Sequence, residues 1–224
     1  MVKILRKMSH KEFFKVNEEV AQTSPMMTHY YSSNPFERWL WQLKKRHIKR
    51  LLEGLLIKNI IDLGCGDGGL IELIPPKVHY TGIDISPTQI HNAKKRIEQI
   101  GKNNSRVIRA DITALKDIKD DSFDSALVCD VVEHLLSPNK LFTEVKRIIK
   151  RNGYIIFSIP NEILLEVTRA LLLRFPLRSP DHIYAIYPTD IRQNFPSILK
   201  QVFLPIRFSS HFSLIQIFLV KNVK

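Results

Sequence analysis

Ile60-Ile61-Asp62-Leu63-Gly64-Cys65-Gly66-Asp67-Gly68-Gly69 decides the fold. A short apolar run leads into a turn holding four glycines in six positions. Glycine directly after a strand lets the backbone turn tightly and approach a ligand without a Cβ in the way. Gly64, Gly66 and Gly69 also satisfy the G-x-G-x-x-G dinucleotide pattern, so the turn alone suits either a nicotinamide or a methionine-derived cofactor. Asp62 tilts the choice: a carboxylate just before the turn suits a cationic ammonium and repels a pyrophosphate.

Working outward, Asn59–Leu63 reads as a first strand and His79–Ile85 as a second. Ser86 and Pro87 start a helix that runs to about Ile100, as cap and first-turn residue. Arg106–Ile112 is a third strand and Ser125–Asp130 a fourth. A helix over Ser137–Lys150 and a fifth strand at Gly153–Ile159 follow. Strand alternating with helix implies right-handed βαβ units and a mostly parallel sheet. Helices are expected over Glu162–Leu173 and near Thr189–Ile198. Two last strands, Val202–Phe208 and Leu214–Val220, are joined by so few residues that they must be antiparallel. The expected fold is a Rossmann-like, doubly wound α/β sheet of seven mostly parallel strands, with an antiparallel C-terminal strand and helices on both faces. Residues 1–56 read as an N-terminal helical cap of the same domain. Residues 57–224 form its core, with 161–200 a helical and irregular lid. In the cap, Phe36, Trp39, Leu40, Leu43 and His47 recur at helical spacing as one apolar face.

Three acidic residues close three successive strands. Asp84 ends the second, about 20 residues after the glycines, where a carboxylate can accept from both ribose hydroxyls. Asp111 ends the third, within reach of an adenine amine, and Asp62 ends the first. All lie on the carboxyl edge of the sheet, where open α/β folds bind ligands. With Phe123-Asp124-Ser125-Ala126-Leu127-Val128-Cys129-Asp130-Val131-Val132-Glu133-His134-Leu135, the order resembles the class I S-adenosylmethionine-dependent methyltransferases. More narrowly, it is similar to the branch containing ubiquinone- and menaquinone-biosynthesis-type enzymes. The resemblance covers roughly residues 55–162. It implies Asp62, Gly64, Cys65 and Gly66 around the methionine portion of S-adenosylmethionine, and Asp84 with Ile85 at the ribose and adenine. It further implies Asp111 with Ile112 at the adenine edge and Asp130 with Val131 beneath the sulfonium, with S-adenosylhomocysteine as product.

His134 is the candidate general base, set against a histidine that only packs. Tyr30, Tyr31, His182 and Tyr184 are candidates for the acceptor pocket. No metal site is expected, because Glu133 and His134 are adjacent at a helix start and should point apart. The Leu-rich segment Glu162–Pro176, ending in Arg174 with Arg178 just beyond, suits a lid over an apolar acceptor with an anionic head.

The 224 residues carry 34 Lys and Arg against 22 Asp and Glu, a formal charge of +12. Such a field attracts nucleic acid, anionic membranes or acidic small molecules. Lys44, Lys45, Arg46, Lys49 and Arg50 gather in one helix, which keeps an RNA acceptor open beside a small or lipid-like one. A nicotinamide-dependent oxidoreductase and a non-catalytic cofactor-binding protein also fit the glycine turn. Cys65 and Cys129 offer no disulfide framework and fit a reducing cytoplasm. No segment is long and apolar enough to span a bilayer, so any membrane contact is expected to be peripheral.

Overall fold

The computed structural model describes residues 3–23, 31–171, 181–205 and 213–224. Its sheet is built from β2 (Asn59–Leu63), β3 (His79–Asp84), β4 (Ser105–Arg109), β5 (Phe123–Cys129), β6 (Ile149–Pro160), β8 (Ile198–Leu204) and β9 (Ile215–Lys221). The order across the sheet is β4-β3-β2-β5-β6-β9-β8. β2 to β6 pair in parallel, and β9 runs antiparallel to both its neighbours. The seven-stranded, mostly parallel sheet expected from the sequence is present.

Period-two alternation explains the two cores. Ile61, Val128, Phe157 and Phe218 face one side, and Ile60, Leu127, Ile156 and Ile217 the other. The first side packs against α4 (Pro138–Ile148) through Leu141, Phe142 and Val145, and against α6 (Pro188–Asn194) through Ile191. The second packs against α2 (Pro35–Glu53) through Leu40, Ile48, Leu51 and Leu52. Ile97 of α3 (Pro87–Ile100) joins that second core. Burial on both faces is what makes these strands near-continuous apolar runs.

Several boundaries differ from expectation. β4 stops at Arg109 because Asp111 turns the chain, its Oδ1 accepting from the Thr113 N–H at 2.8 Å and the Thr113 hydroxyl at 2.7 Å. β8 ends at Leu204, since Pro205 has no N–H for a ladder. α6 ends at Asn194, two residues before the helix-breaking Pro196. The cap face is also different. Leu40 and His47 are buried as expected, but Phe36 and Trp39 are exposed, and Lys44 and Lys45 are buried with Ile48 instead. Two elements were not anticipated: β1 (Lys3–Ile4) and β7 (Tyr184–Ala185), which pair antiparallel.

α1 (His10–Thr23) lies against the start of α3. The Ser86 hydroxyl donates to Glu18 Oε2 at 2.6 Å, and the Thr88 hydroxyl donates to Glu18 Oε1. Among the described residues, no helix is long and apolar enough to cross a membrane.

Candidate active site

The turn after β2 is fastened to β3: the N–H groups of Gly64 and Cys65 both donate to Ile83 O, at 2.8 and 2.9 Å. Gly64 has φ of +77°, and a Cβ there would come within 2.3 Å of Val131 Cγ2. Gly66, at φ of +53°, aims its N–H at Asp84 Oδ2, 2.9 Å away. The Ser86 N–H donates to Asp84 Oδ1 at 2.9 Å. Burial raises the Asp84 pKa against the pull of these backbone donors. Each carboxylate oxygen has a second lone pair, so the group keeps acceptor capacity toward a ligand.

After β5 the chain takes an uncommon conformation for a residue with a side chain. Asp130 has φ of +52°, a region that Asp tolerates better than most residues. Its Oδ1 accepts from the Ser158 hydroxyl at 2.8 Å. Its Oδ2 forms an ion pair with Lys44, an ammonium delivered from α2 with a side chain only 1% exposed. Lys44 also lies over the Trp41 ring, 4.4 Å from its centroid. Burial pulls the Lys44 pKa down to about 8, with Glu133 and Asp62 among the nearby groups that favour its charge. The sequence signal for Lys44 is its position: Leu40, Lys44 and Ile48 stand four apart on one stripe. Lys45 pairs with Glu72, so two members of the supposed basic surface face inward.

These turns surround a cavity of about 550 Å³ at the carboxyl edge of the sheet, the size of a small-molecule site. Eight of the ten residues expected at a cofactor line it: Gly64, Gly66, Asp84, Ile85, Asp111, Ile112, Asp130 and Val131. Asp62 and Cys65 do not. Asp62 is turned into the protein, where its Oδ2 accepts from the Tyr80 hydroxyl at 2.9 Å, and burial pushes its pKa up to about 7. Cys65 is buried beneath Gly82, whose missing Cβ would lie 2.9 Å from its Sγ. Phe13 and Asn17 of α1, Leu40 and Trp41 of α2, and Leu165 and Arg169 of α5 (Glu162–Leu171) close the cavity from above. No local pattern in residues 10–23 foretells that α1 reaches this far.

At the far end the chain makes a 3₁₀ turn, Val132–His134, rather than an α-helical start. The tighter turn brings Glu133 and His134 together with His182, contrary to the expected divergence. His134 Nδ1 lies 3.2 Å from both the carbonyl and the carboxylate Oδ2 of Asp181. Burial opposes a charge on His134, but Asp181 and Glu133 outweigh it and push the pKa up to about 9. The ring therefore favours its protonated form, and one proton must leave before it can serve as a base or a ligand. Of the other acceptor-pocket candidates, His182 lines the cavity. Tyr184 is turned away, its hydroxyl donating to Leu136 O at 3.2 Å, and Tyr31 is 64% exposed and outside the lining. Tyr30, Arg174 and Arg178 lie outside the described residues.

A methyltransferase-domain model matches residues 61–157, the stretch that carries the glycine turn and the four strand ends just described. That stretch is a methyltransferase domain of the S-adenosylmethionine-dependent kind. The chain is 29% identical over 130 residues to the malonyl-[acyl-carrier protein] O-methyltransferase of a Paenibacillus species, covering 55% of this chain and 47% of that protein. It is 26% identical over 147 residues to the ubiquinone biosynthesis O-methyltransferase of Nitrosomonas europaea, covering 64% and 62% of the two chains. The match thus spans about half the length of these curated relatives. The fold is that of magnesium protoporphyrin IX methyltransferase from Synechocystis, solved with bound S-adenosylhomocysteine: TM-score 0.70, 18% identity, 94% of this chain and 99% of that one. The methyltransferase-domain match resolves the double meaning of the glycine turn in favour of S-adenosylmethionine over a nicotinamide cofactor.

Proposed function

We propose that this chain transfers a methyl group from S-adenosylmethionine to an oxygen, nitrogen or carbon nucleophile of a small or lipid-like acceptor, releasing S-adenosylhomocysteine. One observation carries the reading: residues from the ends of four successive parallel strands converge on one cavity wall, with Gly64 and Gly66 at positive φ beside them. The donor set fits the cofactor. Asp84 has acceptor capacity for two ribose hydroxyls, Ile85 and Ile112 are apolar walls for an adenine, and Asp111 is an acceptor at its edge. Gly64, lacking a Cβ, lets Val131 pack against the turn at the cavity wall, and Asp130 lies where a sulfonium would be stabilised.

The cofactor supplies an already activated methyl group. The protein's work is therefore to hold a nucleophile in line with the sulfur–methyl bond and to exclude water, and orientation of this kind supplies much of an acceleration. Lys44, paired with Asp130 Oδ2, holds that carboxylate at the cavity wall. α1, α2 and α5 act as a cap and lid. Arg169, reaching the cavity from α5, suits an anionic group on the acceptor.

The relatives' names, a malonyl-[acyl-carrier protein] O-methyltransferase and a ubiquinone biosynthesis O-methyltransferase, support a small or lipid-like acceptor. RNA loses part of its support, since Lys44 and Lys45 of the basic helix are internal. The two buried free cysteines support a cytoplasmic setting, and Ile163, Val167 and Leu171, exposed along α5, support peripheral contact with a membrane.

The test is calorimetric titration with S-adenosylmethionine, S-adenosylhomocysteine and NADH, on the wild type and on Asp84→Ala. Binding of both sulfur compounds, weakened at least about 10-fold by the substitution (the loss of one charged hydrogen-bond acceptor), is the expected result. Binding of NADH alone would overturn the proposal.

A further inference from the structure

Three groups at the acceptor end have no assigned part in holding the methyl donor. One candidate ligand atom from each of Glu133, His134 and His182 lies within 4.8 Å of the other two. All three residues line the cavity. Glu133 is 1% exposed, and its Oε2 has no hydrogen-bond partner. A buried carboxylate oxygen is tolerated when a proton, a donor or a cation satisfies it.

The two imidazoles are held as metal-binding imidazoles are held. His182 Nδ1 lies 2.6 Å from Glu162 Oε1, and His134 Nδ1 lies 3.2 Å from Asp181 Oδ2. Both carboxylates are themselves buried. An Nδ1–H that donates to a carboxylate fixes the tautomer and leaves Nε2 as the free lone pair. The rings meet edge to face, centroids 4.6 Å apart at 81°, so neither stacks flat over the other's coordinating edge. A self-contained ion-pair cluster would direct an imidazole N–H at Glu133 Oε2, and none is so directed.

We propose that Glu133, His134 and His182 bind one divalent transition-metal cation, with its remaining coordination positions open to the cavity. Two imidazoles and one carboxylate suit a borderline cation such as Zn²⁺, Fe²⁺ or Co²⁺, and a three-ligand set is the pattern of a site that also receives substrate. Where the chemistry is concerned, this rests on the methyl-transfer proposal above: the cation selects an acceptor that offers a hydroxyl oxygen. A hydroxyl held there gives its proton to water near neutral pH. The oxygen then bonds to the methyl carbon as the sulfur–methyl bond breaks, and that electron pair stays on sulfur as a neutral thioether.

The test uses chelator-stripped protein titrated with Co²⁺, read by its visible d–d absorption, with S-adenosylhomocysteine affinity measured on the same samples. One equivalent should bind. Glu133→Gln and His182→Ala should each weaken Co²⁺ at least about 100-fold, and Glu162→Gln about 10-fold, the scale for ligands and the groups that orient them. Affinity for S-adenosylhomocysteine should be unchanged. If His182→Ala does not fold, the near-isosteric Glu133→Gln and the wild type decide. A Cu²⁺-loaded wild type should show spin-echo modulation from the remote nitrogens of two imidazoles. No stoichiometric Co²⁺, equal binding in the variants, or fewer than two imidazoles would overturn the site. Cobalt binding without S-adenosylhomocysteine binding would instead sink the methyl-transfer proposal and leave the site standing.

Discussion

At the residue scale, Asp84 and Asp62 part company. Both are acidic residues in or at the end of a strand, yet one lines the cavity and the other faces Tyr80. The spacing of strand ends makes the first legible from sequence. The second depends on which face of β2 the side chain takes and on a tyrosine 18 positions away, which no local pattern reveals. The Asp62 pKa, raised to about 7 by burial from an ordinary 3.8, has a consequence for stability. Between those values the unfolded chain releases a proton that the folded chain retains, so Asp62 lowers stability as pH rises through that window. Asp62→Asn removes the titration. Urea unfolding of both proteins from about pH 5 to about pH 8 should show the variant gaining on the wild type as pH rises; a constant or shrinking difference contradicts the assignment.

At the element scale, the helices with clear caps are the most legible. Asn34 accepts from the Glu37 N–H at 3.0 Å, with Pro35 opening α2, and Ser86 accepts from the Gln89 N–H at 3.1 Å, with Pro87 opening α3. The face each helix buries is harder to foresee. Lys44 counts as polar in any periodicity, but its long apolar stem packs like a hydrophobe while its ammonium meets Asp130. The two-residue strands β1 and β7 are too short to carry a period at all. α1 is legible as a helix but not as a cavity wall, because what docks it is the long-range contact of Glu18 with Ser86 and Thr88. Glu18→Ala should loosen α1 by about 1–3 kcal/mol, the value of a charged hydrogen-bond acceptor. Hydrogen exchange should accelerate within His10–Thr23, and affinity for S-adenosylhomocysteine should fall. Unchanged exchange there would show that Phe13 and Ala21, both buried, suffice to hold the helix.

At the scale of the whole molecule, alternation of strand and helix is enough to give the parallel half of the sheet. Antiparallel pairing of the last two strands follows from their short connection. That β9 inserts between β6 and β8 depends on pairing across more than fifty residues of chain, to which a local pattern is blind. The inserted strand links both cores, with Phe218 on one face and Ile217 on the other. Phe218→Ala should cost about 3–5 kcal/mol and Leu52→Ala, on the opposite side, about 2–5 kcal/mol. Because the sheet joins the two cores, each variant should still unfold in a single transition, and the double variant should sum the two losses to within about 0.5 kcal/mol. A second transition in either variant would mean that the two faces unfold separately.

The short ladder between β1 and β7 bears on the order in which the site is completed during synthesis. The N–H of Leu5 donates to Ile183 O at 2.8 Å, and the N–H of Ile183 donates to Glu133 O at 2.8 Å, one relay from the amino-terminal strand to the acceptor end. Chains fold as they leave the ribosome, amino-terminal parts first. Gly64, Asp84, Asp111 and Asp130 have all emerged well before Asp181 and His182, so a nascent chain holds the groups for the methyl donor while its acceptor end still lacks a wall. Residues 3–4 find their partner only when residues 184–185 have appeared, and their pairing marks the moment when the vessel is closed.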